Sequence, residues 1–178
     1  MNSNSILVLC GSPRGNGTTA RFLAALQEAC NDVTIINSYT RGISPCTDCR
    51  ACQTGPGCVI RDMDDIYQAL ESSGMLVIAS PIYNGGLPAP LKCVIDRFQP
   101  YYHSRISRNE PRIRAKTGFL FLCSGQDEQQ AAEYIQNRLN RLGTVINTRF
   151  DEILYISDTD TKSTAGEFAG FIRKIKEV

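Results

Sequence analysis

Ser5-Ile-Leu-Val-Leu-Cys10 leads without a break into Gly11-Ser-Pro-Arg-Gly-Asn-Gly-Thr-Thr19, and this junction decides the fold. A continuous apolar run is typical of a strand that is buried on both faces of a parallel sheet. After the glycines, Phe22 and Leu26 recur at the spacing of one helix face. A buried strand that turns directly into such a helix predicts the beginning of an α/β protein.

The alternation of strand and helix continues along the chain. Apolar runs predict further strands at residues 32–37, 75–79, 116–123 and 145–155. Helical periodicity predicts helices from residue 18 and over residues 64–73, 91–99, 126–142 and 164–176. Between them, residues 38–61 are predicted to form a long irregular loop, and residues 100–115 are polar and basic. We therefore expect one domain over residues 1–178, built on a five-stranded parallel sheet with helices on both faces.

The composition is that of an ordinary globular protein and excludes several classes of partner. The chain has 178 residues, of which 42% are hydrophobic and 21% are charged. Nineteen Lys and Arg against 18 Asp and Glu give a net charge of +1, without the basic excess of a nucleic-acid or membrane-surface protein. The first residues carry no basic signal region, and no window approaches the ~20 apolar residues of a spanning helix. We expect a cytoplasmic protein that binds neither nucleic acid nor membrane.

The loop after the first strand is predicted to bind a phosphate group. A strand-to-helix turn gathers free backbone N–H groups and the positive end of a helix around one point. This loop combines backbone and short side-chain hydrogen-bond donors with one cation. Such a combination suits a phosphate monoester. The candidate residues are Ser12, Arg14, Asn16, Gly17, Thr18 and Thr19.

Other interpretations of this loop fit less well. A nucleotide-triphosphate loop needs a Lys, which the loop lacks, and the G-x-G-x-x-G spacing of a dinucleotide site is also missing. A hydrolase elbow would need a histidine base, and His103 is the only histidine of the chain. A merely structural turn remains the alternative, although such turns rarely need this many hydroxyls.

The loops after the third and fourth predicted strands are expected to converge on the same point, because ligands sit beyond the carboxyl ends of parallel strands. The first of them has Pro and Gly residues that let the backbone approach a flat ligand closely, and an aromatic side chain whose alternative role is to shield the core. The second begins with a small polar residue. The candidates are Pro81, Ile82, Tyr83, Asn84, Gly85 and Ser124.

With these motifs in view, the chain resembles the NADPH-dependent FMN reductase family of flavodoxin-like proteins. The resemblance rests on residues 11–19, on Ser80-Pro-Ile-Tyr-Asn84 and on Leu91-Lys-Cys-Val-Ile-Asp-Arg97, and it covers about the first two thirds of the chain. It implies a flavodoxin-like three-layer sandwich that binds FMN without a covalent bond. The first loop would hold the phosphate, and residues 81–84 would border the isoalloxazine ring.

The resemblance has further implications for the site and the assembly. Lys92, Asp96 and Arg97 would order the neighbouring loop and helix, the alternative being an ordinary solvated helix face. No catalytic side-chain acid or base is expected, since the flavin itself carries the chemistry. Asp158 and Thr159 lie in the C-terminal part and are expected to matter little for FMN binding. Members of the family are usually dimers or tetramers, so the resemblance implies a homodimer or homotetramer.

A separate motif lies in the long loop, where four of the eight cysteines have the spacing C-x₂-C-x₂-C-x₅-C. The run C-x₂-C-x₂-C is how a short loop wraps an iron–sulfur cube, whereas structural zinc sites generally pair two separate C-x₂-C knuckles. The segment also resembles the iron–sulfur flavoproteins, a branch of the same fold. A [4Fe–4S] cluster and free or redox-active thiols remain equally open. The candidate ligands are Cys46, Cys49, Cys52 and Cys58, and Cys10, Cys30, Cys93 and Cys123 are expected to fill the core.

Three functions follow from this sequence. The first is an FMN-dependent oxidoreductase that passes electrons from NAD(P)H to a flavin, quinone or similar small-molecule or protein acceptor. The second is an electron carrier that exchanges electrons with ferredoxin through FMN and a [4Fe–4S] cluster. The third is a non-catalytic FMN-binding or redox-sensing module.

Overall fold

A single parallel sheet organises the computed structural model, which describes residues 4–159 and 164–178. Its strands are β1 (Ile6–Cys10), β2 (Val33–Asn37), β3 (Met75–Pro81), β4 (Lys116–Cys123) and β5 (Thr148–Ile156). They pair in the order β2-β1-β3-β4-β5, with β1, β3 and β4 in the middle. This order is that of the flavodoxin-like doubly wound fold, which confirms the predicted fold class.

The helices lie on both faces of this sheet. They are α1 (Thr18–Ala29), α2 (Ala51–Thr54), α3 (Asp64–Ser72), α4 (Ala89–Asp96), α5 (Gln99–Ile106), α6 (Gln129–Gly143) and α7 (Ala165–Lys176). Each face has its own buried apolar cluster. One cluster joins α1 and α7 to the sheet, and the other joins α3, α4 and α6 to the opposite face.

The strands alternate their side chains between these two clusters. Along β1, Leu7 and Leu9 face the cluster of α3, α4 and α6, whereas Val8 faces that of α1 and α7. The β1 residues are all buried, as the continuous apolar run predicted. On the second face the ring of Phe22 stacks on Phe121 with centroids 4.2 Å apart. The two-sided burial fixes the register of the central strands, and with it the positions of the loops at their ends.

Two helices lie in segments for which the sequence predicted no helix or strand. The four residues of α2 lie inside the cysteine loop, and α5 opens the polar stretch after residue 99. The helix α5 buries Pro100 and Tyr101, and the Tyr101 ring packs against Phe98 and Tyr67. Elsewhere the predicted elements are present with ends shifted by up to three residues, and β4 has the predicted bounds. None of the helices in the described ranges is long and apolar enough to span a membrane.

Candidate functional site

The loops after β1, β3 and β4 meet in one cleft at the carboxyl edge of the sheet. Its volume is about 490 Å³, within the usual range of cofactor and ligand pockets. The wall combines residues from the phosphate loop, from the loop after β3 and from the ends of β4 and β5. They are Ser12, Arg14, Asn16, Gly17, Thr18, Thr19, Arg21, Pro81, Ile82, Tyr83, Cys123, Ser124, Gly125 and Thr159.

The amino terminus of α1 opens into this cleft. Gly17 precedes the helix with extended backbone, φ −77° and ψ 179°, and provides no side-chain cap. The first N–H groups of a helix have no partner within the helix, so those of α1 remain available to an anion. Arg14 and Arg21 add positive charge, and no Asp or Glu is among the described residues of the wall. The electrostatics of this end of the cleft favour a phosphate group.

The end of β2 fastens the phosphate loop in place. The Asn37 side chain donates from Nδ2 to the Ser12 carbonyl at 3.0 Å, and its Oδ1 accepts the Tyr39 amide at 3.0 Å. Within the loop, the Arg14 amide donates to Ser12 Oγ at 3.3 Å. Ser38 Oγ donates to the Cys10 carbonyl at 3.0 Å. The loop is thus held from a neighbouring strand before any ligand binds.

The loop after β3 presents an aromatic ring on a tight turn. Tyr83 and Gly86 exchange backbone hydrogen bonds of 2.9 and 3.0 Å, so only Asn84 and Gly85 lie between them. Both have left-handed backbone, with φ of 51° and 72°. Asn-Gly is the favoured pair for such a turn. Tyr83 is 39% exposed at the rim of the cleft and offers the face of its ring.

The third loop is fixed by a tyrosine from β5. Tyr155 Oη lies 2.7 Å from Ser124 Oγ and accepts the Glu128 amide at 2.5 Å. It also donates to the Gln126 carbonyl at 3.3 Å. One hydroxyl therefore organises the whole turn between β4 and α6, including the serine that lines the cleft.

Two buried thiols form the floor beneath the phosphate loop. Burial raises the pKa of Cys10 and of Cys123, which keeps both thiols neutral. Cys123 Sγ lies 3.4 Å from Thr19 Oγ1, and Cys10 Sγ accepts the Ser12 amide at 3.5 Å. The floor thus supports the loop without adding negative charge that would oppose an anion.

The structure brings together ten of the predicted cofactor-binding residues and leaves two outside. Asn84 and Gly85 form the turn behind Tyr83 and are not part of the wall, so their contact with a flavin stays a prediction. Sequence reasoning missed Arg21, one helical turn after Thr18, to whose Oγ1 it donates at 3.0 Å. It also set Thr159 apart, whereas Thr159 lies in the wall and its amide donates to the Ser124 carbonyl at 3.3 Å.

The four clustered cysteines face a second, separate cavity of about 30 Å³. Left-handed residues Asp48 and Arg50 wind the chain around it, with φ of 49° and 62°. Burial, with the neighbouring Cys58, Cys46 and Cys49, raises the pKa of the Cys52 thiol. Within residues 4–159 and 164–178, no three His, Cys, Asp or Glu side chains converge into a metal-binding group.

The donors around this second cavity nevertheless suit a thiolate-bound group. Four thiols line one space, and the side chain of Arg97 lies in the same wall. Arg97 is 1% exposed, so the alternative of a solvated helix face is wrong for this residue, while Lys92 and Asp96 form an exposed ion pair at 2.5 Å. In the described part of the chain, Arg97 Nε is buried without a hydrogen-bond partner. A buried arginine in the wall of a cavity lined by thiols fits an anionic occupant.

Comparison with known sequences finds one family. The model of the NADPH-dependent FMN reductase family matches residues 4–149. An iron-sulfur flavoprotein of Archaeoglobus fulgidus is 32% identical over 145 residues, which cover 77% of this chain and 63% of that protein. An iron-sulfur flavoprotein of Methanosarcina thermophila is 32% identical over 96 residues, covering 50% and 49%. The chain thus spans about half to two thirds of the length of these curated relatives.

Comparison with solved structures finds the same fold at low sequence identity. An NAD(P)H:quinone oxidoreductase from Methanothermobacter marburgensis has a TM-score of 0.68 at 13% identity, covering 97% of this chain and 92% of that chain. An FMN-dependent NADH-azoreductase from Bacillus anthracis, solved in complex with FMN, has a TM-score of 0.67 at 16% identity, covering 99% and 97%. These similarities show the shared flavodoxin-like architecture.

Proposed function

This chain belongs to the NADPH-dependent FMN reductase family, and from that membership we propose that it is an FMN-dependent oxidoreductase. In this proposal FMN occupies the cleft at the carboxyl edge of the sheet. Electrons pass from NAD(P)H to a flavin, a quinone or a similar acceptor. A bound flavin supplies both hydride and single-electron chemistry, so the protein has to bind and orient it.

The single observation that carries the proposal is the open amino terminus of α1 beside two arginines. A phosphate monoester placed there would accept hydrogen bonds from the uncapped N–H groups and from Thr18 and Thr19. Arg14 and Arg21 would supply charge-assisted contacts from the side. These donors suit the phosphate group of FMN, which is the negatively charged end of the molecule.

The loop after β3 is proposed to hold the flat ring. Pro81 and the buried Ile82 form an apolar wall next to the exposed ring of Tyr83. Ser124 and Gly125 line the opposite side with small groups. A flavin between these loops would be oriented by surfaces and backbone groups, with no acidic or basic side chain required at the reacting atoms.

A flavin titration tests the cleft. Replacing Arg14 and Thr18 together by Ala should weaken FMN binding by at least about tenfold, since hydrogen bonds to charged groups contribute about 1.5–3 kcal/mol each. The control replaces Thr34 and Arg149, which are both exposed and lie outside the cleft. Quenching of flavin fluorescence gives the dissociation constants. Equal losses in the two double variants would contradict the proposed phosphate site.

A turnover assay tests the donor. Anaerobic mixing of the FMN-loaded protein with NADPH or NADH should bleach the flavin absorbance near its visible maximum, and a quinone should restore it. Bleaching by dithionite but by neither nicotinamide would contradict the oxidoreductase proposal and favour a binding or sensing module. Both NADPH and NADH are tested, because the described wall residues of the cleft do not indicate a preference for either donor.

The second candidate function is that of an electron carrier, with an iron–sulfur cluster held by Cys46, Cys49, Cys52 and Cys58. The shared cavity of the four thiols and the buried Arg97 donor favour it. A cluster, when bound, supplies single-electron chemistry, and ferredoxin is the proposed partner. Iron and acid-labile sulfide analysis of anaerobically purified protein tests this candidate. Metal-free protein that still oxidises NADPH would eliminate it.

The remaining expectations from the sequence are part of the same proposal. We propose a cytoplasmic protein, because eight cysteines persist as thiols most readily in a reducing compartment. We also propose a single domain that assembles as a homodimer or homotetramer. Sedimentation of the FMN-loaded protein measures the oligomer directly.

A further inference from the structure

Arg97 joins the two ends of the cysteine loop. Its Nη1 donates to the Ser44 carbonyl at 2.9 Å, and its Nη2 donates to the Ile60 carbonyl at 2.6 Å. All four clustered cysteines lie between Ser44 and Ile60 in sequence. One guanidinium from the end of α4 therefore closes residues 44–60, which we call the cysteine segment, at its base.

Asp62 completes the closure. Its Oδ1 lies 2.8 Å from Arg97 Nη1, and its Oδ2 accepts the Ser44 amide at 2.8 Å. The carbonyl oxygen of Arg97 in turn accepts a hydrogen bond of 2.6 Å from Tyr67, a residue of α3. The base of the cysteine segment is thus tied to two helices of the core by a charged and buried network, and hydrogen bonds of this kind contribute more than neutral ones.

The third nitrogen of the guanidinium group, Nε, takes no part in this network. Arg97 Nε is buried and has no hydrogen-bond partner among the described residues. Leaving a charged donor buried and unpaired is costly, and such groups in native proteins generally have a function. Among the described residues, Asp62 Oδ1 is also buried without a hydrogen-bond partner, although it lies 2.8 Å from Arg97 Nη1. Arg97 lies in the wall of the cysteine cavity, so this cavity is the space in which a ligand would meet the guanidinium group.

We propose that Arg97 is a positioning residue that clamps the cysteine segment and offers its Nε hydrogen to a thiolate-bound group in the cysteine cavity. This inference rests on the second candidate function above. Hydrogen bonds and charges next to the sulfur atoms set the reduction potential of iron–sulfur clusters, because they stabilise the more negative reduced form. Arg97 would therefore both hold the segment and raise that potential, while Asp62 would act on the potential in the opposite direction.

The clamp is tested in metal-free protein with bound FMN as the reporter of folding. In Arg97→Gln and Arg97→Lys, limited proteolysis within residues 44–60 should be at least about tenfold faster than in the parent protein, since neither side chain reaches both carbonyls. Lys92→Gln removes a positive charge from the same helix at an exposed ion pair and should leave cleavage unchanged. Unchanged cleavage in both Arg97 variants, with FMN retained, would overturn the clamp.

The Nε donor is tested in protein reconstituted anaerobically with iron and sulfide. Arg97→Gln should retain less iron and shift the midpoint potential of the remaining cluster to a more negative value. Asp62→Asn should shift the midpoint potential to a more positive value. Both variants loosen the same network, so a purely structural role would shift the two potentials in the same direction. Opposite shifts exclude such a role. An unchanged potential in Arg97→Gln would overturn the donor role while the cluster proposal stands. Parent protein that takes up no iron would overturn the cluster and the donor role together, and proteolysis still decides the clamp.

Discussion

Tyr155 shows how one residue from outside the predicted loops positions the site. Its hydroxyl contacts Ser124, Gln126 and Glu128, which span the whole turn after β4. Tyr155 does not itself line the cleft. Its influence on a cofactor would therefore act through the orientation of Ser124.

Replacing Tyr155 by Phe should weaken FMN binding by several fold and destabilise the protein by about 1–3 kcal/mol. The reason is that Ser124, Gln126 and Glu128 each lose a hydrogen bond to the half-buried Tyr155 hydroxyl. Flavin titration and urea unfolding measure the two effects. Tyr134→Phe removes a hydroxyl from an exposed ring of α6 and serves as the control. A turn that does not depend on Tyr155 would give the same affinities in both variants.

Lys116 places a titratable group in the interior. Its side chain is 6% exposed, and its Nζ donates to the Arg114 carbonyl at 2.8 Å. Burial, with a further contribution from the Arg114 charge, lowers the pKa of Lys116 from 10.5 to about 8. Between these two values the unfolded chain binds a proton that the folded chain does not, so stability rises with pH in this range.

The Lys116→Met variant isolates this effect. As the pH is raised from about 7 to about 10, the parent protein should gain about 2–3 kcal/mol of unfolding free energy relative to the variant. Urea unfolding of both proteins across that range gives the difference. The comparison removes the contribution of the tyrosines and cysteines, whose raised pKa values act in the opposite direction. A difference independent of pH would mean that Lys116 keeps its ordinary pKa in the folded protein.

Site residues that belong to a recognisable loop could be predicted from the sequence. Contacts that residues make with distant parts of the chain could not. Ser12, Thr18 and Thr19 belong to one loop whose type is visible in the sequence. Thr159 lines the cleft, and Tyr155 fixes the turn beside it, only because β5 is adjacent to β4. The sequence predicts that Arg97 orders the neighbouring loop and helix, but its contacts with the Ser44 and Ile60 carbonyls of the cysteine segment arise only from packing across the fold.

At the scale of the elements, the close packing of the phosphate loop against β3 and α4 depends on Gly11. A Cβ atom at this position would lie 2.5 Å from Ser80 Oγ and 2.8 Å from Leu91 Cδ2. The start of the phosphate loop is therefore packed closely against one side chain of β3 and one of α4.

Gly11→Ala should destabilise the protein by about 1–3 kcal/mol and weaken FMN binding, because the added methyl group clashes with the side chains of Ser80 and Leu91 and displaces the start of the phosphate loop. Gly15→Ala is a matched control in the same loop, since a Cβ there meets no atom within 4 Å. Urea unfolding and flavin titration of the two variants make the comparison. Similar behaviour of both variants would show that the loops adjust without loss.

The sequence predicts the long elements well and the short ones poorly. β1, β3 and β4 are marked by short continuous apolar runs, which are typical of strands buried on both faces of a parallel sheet. The helices α2 and α5 carry little periodic signal, since α2 has no buried residue and α5 has two. Their position is decided by contact with one another, and such tertiary contacts override local propensity.

At the scale of the whole molecule, the two candidate sites are built from different residues. The candidate FMN cleft and the cysteine cavity have no wall residue in common. The first is made by strand ends, and the second by the loop before α3 and by the start of α5. Substitutions without shared partners generally have additive effects.

Removing the second site should therefore spare the first. A Cys49→Ser, Cys52→Ser double variant should bind FMN within about twofold of the parent protein, since neither residue lies in the cleft wall. Conversely, the double variant at Arg14 and Thr18 should keep whatever iron the parent protein holds. Flavin titration and iron analysis on the same preparations check both directions. A large loss of flavin in the cysteine variant would reveal coupling between the two sites.

The wall residues of the cleft lie far apart in sequence, and this separation determines when the cleft is complete during synthesis. The wall runs from Ser12 to Thr159, so its first and last parts leave the ribosome roughly 7–30 s apart at ordinary rates of synthesis. The nascent chain exposes its phosphate loop early, but the pocket that would retain a ligand closes only after the edge strand has docked. A ligand of this cleft would therefore be retained only after β5 has been synthesised and has paired with β4.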